Sequence, residues 1–202
     1  ALRKLGVDAR VFIPKYRTID EEKYPLELIY EGLEVPTGDE KKPVLICNVK
    51  YFENEGVPTY FLENREYYEL RANVYGYSDD HVRWALLSRG VLEFIDKLSR
   101  GTLNGEPEFV PDIIHCNDWH SGLIPNYVKT AFAKNPIISQ ILSVFTIHNL
   151  HFQGMIDHKS VSQMDFDDGK SEIPSFFDPR LAKLNFAKRG IIYSDVVNTV
   201  SE

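Results

Sequence analysis

The sequence predicts an α/β protein built on a doubly wound, Rossmann-like parallel sheet. Short apolar runs typical of strands recur along the chain, and segments with helical spacing of apolar residues lie between them. In the middle of the chain a strand, a helix and a second strand follow one another within about 35 residues, which is the length of a βαβ unit. The chain has 202 residues, enough for one ordinary α/β domain or two small ones.

The first third of the chain predicts strands. Residues 11–13 form a short apolar run before Pro14, which is typical of a buried strand. Residues 15–43 are charged and interrupted by proline and glycine, which indicates a loop or an edge strand. Residues 44–52 and 59–62 resemble strands that pair with each other across the turn between them.

The clearest helix is predicted over residues 79–98. Its apolar residues recur at steps of three and four and form one stripe: Val82, Leu86, Leu87, Val91, Phe94, Ile95 and Leu98. Ser78 is the expected N-cap, with two aspartates in the first turn, and Gly101 is the expected end.

The second half of the chain predicts alternating strands and helices. Residues 112–115 and 141–147 form strands on either side of a helix over residues 124–132. A further helix over residues 179–193 leads to a last strand over residues 196–200. Strands connected in this way run parallel.

Composition excludes several classes of protein. Lys and Arg number 23 against 30 Asp and Glu, so the net charge is −7 and we expect no nucleic-acid partner. No apolar run approaches the 18 or so residues that span a membrane, so we expect no membrane partner. Two cysteines cannot build a disulfide framework, which favours the cytoplasm.

The ends of the chain suggest a fragment. The first residues lack an initiator Met and a signal-peptide pattern, and the last ones directly follow an apolar run. We expect the chain to belong to a longer protein.

Polar clusters follow three of the predicted parallel strands. They read HCNDWHSG, HNLHFQG and SE. Because ligands of open parallel sheets collect at the carboxyl ends of strands, we expect one crevice there, lined by Asp118, His120, His148, Asn149 and Gln153. Carboxylate, imidazole and amide groups suit carbohydrate hydroxyls, and Trp119 or Tyr75 would add apolar contact.

Each of these residues also has a structural interpretation. Asp118 could serve only as a helix N-cap, and Trp119 could lie in the core. His148 could be a buried histidine bonded to the backbone. His120 and Cys116 favour packing and capping over reaction.

Other chemistries fit less well. His115, Cys116, Asp118 and His120 are metal-ligand types, but adjacent residues at a strand end point to opposite faces, and the spacing is not that of a zinc site. We therefore expect no metal. The sequence contains neither G-x-G-x-x-G nor G-x-S-x-G, which argues against a dehydrogenase and a serine hydrolase. Asp118 has no obvious carboxylate partner for glycoside hydrolysis.

Four segments, in order, resemble the bacterial and plant-type glycogen (starch) synthases. They are RANVYGYSDDHVRWALLSRGVLE, PDIIHCNDWHSGLIPNYVK with its H-x-x-D-W-H core, SVFTIHNLHFQG, and LNFAKRGIIYSDVVNTVSE. The resemblance extends from residue 1 to residue 202 and implies the N-terminal, acceptor-side half of a two-domain GT-B glycosyltransferase. It implies that this catalytic domain is incomplete at both ends, and that the C-terminal nucleotide-binding domain is absent but needed in cis.

The resemblance also implies an activity. Such enzymes transfer glucose, with retention, from ADP-glucose or UDP-glucose to the non-reducing end of an α-1,4-glucan such as glycogen. By the same resemblance His148 and Asp118 are the candidate catalytic residues, and Tyr75, Asn149, Gln153 and His120 are the candidate substrate-binding residues. His148 would lie against the transferred glucose, Asp118 and Tyr75 would contact acceptor or donor sugar, and Gln153 would support the loop. The scheme requires no cofactor and no metal.

Departures from the family pattern leave its fine specificity open. The K-x-G-G-L loop and the first strand of the family are missing, His151 replaces a small residue, and residues 165–171 resemble a local insertion. We expect the 202-residue chain to be inactive alone. The alternatives are a non-catalytic α-glucan-binding module and a related GT-B enzyme with another donor.

Overall fold

The computed structural model describes residues 1–101, 109–157 and 167–200. The strands within these ranges are β1 Val11–Pro14, β2 Glu27–Pro36, β3 Val44–Asn54, β4 Val57–Glu63, β5 Ile113–Asn117, β6 Leu142–Ile147 and β7 Val196–Thr199. The α-helices are α1 Asp80–Ser99, α2 Leu123–Lys129 and α3 Phe186–Tyr193.

The first sheet has the strand order β1-β4-β3-β2. β3 and β4 are joined by a two-residue turn, Glu55 and Gly56, whose φ angles of 50° and 77° give the left-handed geometry that closes tight hairpins. The predicted pairing of these two strands is confirmed. The segment expected to be loop or edge strand contains β2, which pairs antiparallel with β3 at the edge of the sheet.

The second sheet has the order β5-β6-β7, and both pairs are parallel. Asn117 is opposite Thr146, and Thr146 is opposite Asn198, so the three strands end at one edge. This confirms the parallel βαβ unit. It also places the polar segments that follow β5 and β6 next to each other.

The described residues form two sheets where one doubly wound sheet was predicted. In the first sheet only β1 and β4 are parallel, because hairpin connections impose antiparallel pairing on β2, β3 and β4. β1 is an edge strand with Val11 40% exposed, so the expectation of a buried strand is wrong there.

Helix α1 forms the centre of the core and contacts the first sheet as well as α2. All seven residues of its predicted apolar stripe are buried, and so are Trp84, Ala85 and Leu92. The prediction of Ser78 as N-cap is wrong, since Asp79 occupies that position without a side-chain capping bond. Gly101 has φ +63° just beyond the helix, as expected of a helix end.

Two predicted helices are shorter than expected. α2 ends at Lys129, before the predicted limit of residue 132. The predicted helix over residues 179–193 is divided into a 3₁₀ turn, Pro179–Lys183, and α3. Asn185 causes the division, because its extended backbone and its side-chain bond to the Lys188 N–H at 2.8 Å start α3 afresh.

Candidate functional site

Asp118 lies at the carboxyl end of β5, and its carboxylate connects the ends of two strands. Oδ1 accepts the backbone N–H of Trp119 at 2.8 Å, which caps the 3₁₀ turn Trp119–Ser121. Oδ2 accepts the backbone N–H of Asn149, beyond β6, at 3.2 Å. Asp118 therefore has the N-cap role that its structural interpretation gave it. Capping uses only one of its two carboxylate oxygens, and the other binds the segment after β6.

The backbone of Asp118 has an uncommon conformation. Its φ of +61° is in the left-handed region, which costs a non-glycine residue about 1–3 kcal/mol. Bonds on both sides hold it, because its N–H donates to the Thr146 carbonyl at 2.9 Å and its carbonyl accepts from the Ser121 N–H at 3.1 Å. The strain turns the carboxylate toward β6.

His148 follows β6 and is exposed, so the interpretation as a buried histidine bonded to the backbone is wrong. Its Nε2 lies 3.0 Å from Oδ1 of Asn117, at the end of the neighbouring strand β5. When this amide oxygen accepts the Nε2 proton of a neutral imidazole, Nδ1 stays available as an acceptor. Sequence reasoning missed Asn117, although its position directly before Asp118 in HCNDWH was a usable signal.

The loop from Asn149 to Gln153 is held by its own side chains. The Asn149 side-chain oxygen accepts the His151 N–H at 3.0 Å, and Gln153 Nε2 donates to the Leu150 carbonyl at 3.1 Å. Gln153 Oε1 accepts from Asn185 Nδ2 at 2.6 Å, which ties the loop to the start of α3. Both Asn149 and Gln153 are exposed, so the loop surface is open to a ligand.

A cluster of aromatic rings lies beside the crevice at the ends of β5 and β6. The His120 ring stacks on Trp119 with centroids 3.9 Å apart and meets the edge of Trp84 at 4.7 Å. Tyr75 is 60% exposed, and its ring centroid is 6.0 Å from that of His120. Burial lowers the pKa of His120, against the nearby charge of Asp118, so the ring is uncharged at neutral pH. Trp119 is 8% exposed, which confirms its predicted place in the core.

A buried ion pair supports the crevice from behind. Arg189 and Asp167 form two parallel hydrogen bonds of 2.7 and 2.8 Å, and both side chains are almost completely buried. Asp167 Oδ2 also accepts the Asn185 N–H at 3.0 Å, so the pair positions the residue that holds Gln153. Neither residue was predicted from the sequence to belong to the site, and residue 167 lies in the segment interpreted as an insertion.

Among the residues that the structure describes, those considered as metal ligands do not converge on one point. His115 is exposed and its Nε2 lies 2.6 Å from Thr146 Oγ1, whereas Cys116 is buried. Burial raises the pKa of the Cys116 thiol to about 12, so it stays protonated. Across residues 1–101, 109–157 and 167–200, no three His, Cys, Asp or Glu side chains converge as metal ligands would.

Comparison with known proteins decides the family. The family model described as the starch synthase catalytic domain matches residues 1–202. The chain belongs to the starch synthase catalytic domain family. It is 39% identical over 208 residues to the glycogen synthase of Caldicellulosiruptor saccharolyticus, covering 100% of this chain and 39% of that protein. The glycogen synthase of Clostridium acetobutylicum is 38% identical over 205 residues, with coverage of 100% and 39%.

The starch synthase fold also matches in three dimensions. The catalytic domain of starch synthase IV from Arabidopsis thaliana, solved bound to ADP and acarbose, aligns with a TM-score of 0.72 at 23% identity. The alignment covers 99% of this chain and 39% of that one. The chain thus has the fold of part of a GT-B glycosyltransferase, and it spans about 39% of the length of these family members.

The roles of individual side chains in the starch synthase reaction stay predictions. Asp118, Asn149 and His148 lie at one edge of the second sheet. Gln153 is at the end of the loop, where it bonds Asn185, and Tyr75 lies near His120. In the part of the chain that the structure describes, no helix combines the length and apolarity needed to cross a membrane. Location in the cytoplasm stays a prediction.

Proposed function

We propose that this chain forms the acceptor side of a glycogen or starch synthase. The full-length enzyme would transfer glucose from ADP-glucose to the non-reducing end of an α-1,4-glucan, with retention of configuration. Support comes from the family match over residues 1–202, from glycogen synthases at 38–39% identity, and from the related starch synthase IV fold that was bound to ADP and acarbose.

The observation that carries the proposal is the Asp118–Asn149 bond across the strand ends. It brings a carboxylate, the imidazole of His148 and the amide of Asn149 into one crevice. A carboxylate has about four lone-pair sites, and two are used by the N–H groups of Trp119 and Asn149. The remaining sites suit sugar hydroxyls, which can donate to them.

The chemistry of glucosyl transfer explains why such groups are useful. Breaking the bond from glucose C1 to phosphate develops oxocarbenium character on the sugar and negative charge on the leaving diphosphate. The imidazole of His148 would bind a sugar hydroxyl and hold the glucose ring in place, while Asp118 would orient the acceptor. Tyr75, with its exposed ring, would add apolar contact to one of the sugars.

The crevice residues Asp118, His148 and Asn149 do not themselves offer a cation to the diphosphate. In the described parts of the chain, the hydrogen bonds of Asp118, His148 and Asn149 involve no lysine or arginine. A leaving diphosphate needs cationic partners. We therefore propose that the C-terminal domain supplies them in cis, and that residues 1–202 are inactive alone.

The test is glucose incorporation into glycogen by the full-length protein, with ADP-glucose and UDP-glucose in parallel, beside the purified 202-residue chain. We expect transfer from ADP-glucose by the full-length protein and none by the short chain. Transfer from UDP-glucose only would show that the donor is UDP-glucose and not ADP-glucose. Glycogen binding without transfer from either donor would contradict the proposal and favour a binding module, and activity with a different sugar nucleotide would favour a related GT-B enzyme.

A further inference from the structure

One buried carboxylate anchors the loop that carries Tyr75. Asp80, at the first turn of α1, is 3% exposed. Its Oδ2 accepts the backbone N–H groups of Gly76 at 2.6 Å and Tyr77 at 3.1 Å. These are the two residues directly after Tyr75, so this oxygen fixes the backbone from which the Tyr75 ring projects.

A fully buried arginine in turn holds that carboxylate. Arg83 Nη1 donates to Asp80 Oδ1 at 2.5 Å, and Arg83 Nε donates to the Tyr67 carbonyl at 2.7 Å. The Tyr68 hydroxyl donates to the Arg83 carbonyl at 2.8 Å. The orientation of Asp80 is therefore tied to the segment Arg65–Glu69 as well as to α1.

The Tyr77 side chain also holds the segment that carries Tyr75. It faces the guanidinium of Arg71 at 4.9 Å and that of Arg83 at 5.3 Å, which are favourable cation–π distances. Its hydroxyl accepts the Asn73 N–H at 3.0 Å. The backbone on both sides of Tyr75 thus has fixed attachment points.

Stability alone does not explain this pair. A buried ion pair is often no more stabilising than well-packed apolar residues, because both charges lose their hydration. Arg83 Nη2 is buried without a hydrogen-bond partner among the residues that the structure describes, which adds to that cost. The pair does fix the geometry of the backbone at residues 76 and 77.

We propose that Asp80 and Arg83 are positioning residues that hold Tyr75 beside His120, where the ring meets a sugar substrate. The Tyr75 ring is 60% exposed and 6.0 Å from His120, so its location depends on the backbone that carries it. This inference rests on the proposed function, because it assigns Tyr75 a sugar contact. Asp80 itself is buried and touches no substrate.

The test uses the full-length protein and its Tyr75→Ala, Asp80→Asn and doubly substituted variants. Asn cannot accept from both backbone amides and from Arg83 at once, so the loop loses part of its attachment. We expect Tyr75→Ala to raise the KM of one substrate, glycogen or ADP-glucose, by about tenfold. We expect Asp80→Asn to raise the KM of the same substrate several-fold with little change in kcat, and the double variant to match Tyr75→Ala.

Asp96→Asn is the matched control. Asp96 is also a buried carboxylate of α1, paired with Arg100 and Asn135, but it lies 16 residues further along, about 24 Å away along the helix axis. We expect this variant to lose stability and to keep both KM values. If Asp80→Asn does not fold, Arg83→Lys provides the same test. Lysine keeps the charge but lacks the planar guanidinium, whose Nε and Nη1 bond the Tyr67 carbonyl and Asp80 separately.

The outcomes separate the two proposals. A wild type that transfers no glucose, or a Tyr75→Ala variant with both KM values unchanged, overturns the assignment of this site and the inference with it. The inference alone is overturned if the wild type is active and Tyr75→Ala raises a KM, but the double variant has a KM several-fold higher still. In that case Asp80 would act independently of Tyr75. An Asp80→Asn variant that behaves like Asp96→Asn does the same.

Discussion

The Asp118 carboxylate accepts the backbone N–H of Asn149 at 3.2 Å, although 31 residues separate them in the chain. This bond joins the carboxyl ends of β5 and β6. The crevice is therefore built across two strands and depends on one side chain that is held in a left-handed backbone conformation.

Asp118→Asn removes one of the two acceptors in this arrangement. The amide oxygen can accept from Trp119 or from Asn149, and its NH₂ group then faces the other N–H. We expect kcat/KM for glucose transfer by the full-length protein to fall about 10–100-fold. The control is Asp112→Asn, an exposed carboxylate at the opposite end of β5. Equal activities of the two variants would contradict the role given to Asp118.

Gly154→Ala tests how the loop after His148 packs. Gly154 has φ +79°, and a Cβ there would lie 2.6 Å from Trp119 Cε3 and 2.9 Å from Phe186 Cβ. We expect a loss of about 1–2 kcal/mol from the left-handed backbone and about 1–3 kcal/mol from overpacking. Gly56→Ala is the control, since it has φ +77° with nothing within 4 Å of the added Cβ. Equal losses in urea unfolding would show that the Trp119 contact does not matter.

Arg189→Met tests the buried ion pair behind the crevice. It leaves Asp167 buried without its bidentate partner, which typically costs about 3–5 kcal/mol in the free energy of unfolding. Arg180→Met is the matched change in an exposed pair with Asp178, and we expect no measurable shift there. Thermal and urea unfolding of both variants measure the difference. A small effect at Arg189 would mean that the network is not essential to the fold.

The lowered pKa of His120 makes stability depend on pH. In the unfolded chain His120 binds a proton below its ordinary pKa of 6.5. In the folded chain it binds the proton less readily, because burial disfavours the charged ring. Stability should therefore fall as the pH drops below 6.5, and His81, whose pKa burial also lowers, adds to this slope. We expect His120→Gln to flatten the slope. An unaltered slope in His120→Gln would contradict the account.

The sequence allowed prediction wherever local pattern controls structure. The apolar stripe of α1 is the clearest case, because seven residues at helical spacing must share one face and all seven are buried. The closeness of Asp118 and Asn149 was also predictable, since parallel strands end at a common edge.

Features that depend on tertiary partners were not predictable. The pairs Asp80–Arg83 and Asp167–Arg189 look like ordinary surface charges in the sequence, and only packing shows that they are buried. His148 is exposed and its ring bonds Asn117, and the spacing of residues in the sequence does not encode which partner it takes. The break before α3 reflects a cap at Asn185 that interrupts an otherwise helical apolar pattern.

The most direct measurement is glucose transfer into glycogen by the full-length protein, comparing wild type, His148→Ala and His115→Ala with ADP-glucose as donor. His115 is a matched exposed histidine on β5 whose Nε2 contacts Thr146 Oγ1. We expect His148→Ala to lose about 100-fold or more in kcat, equivalent to about 3 kcal/mol of transition-state stabilisation, and His115→Ala to stay close to wild type. An active wild type with an unaffected His148→Ala variant would contradict the claim that this crevice holds the transferred glucose.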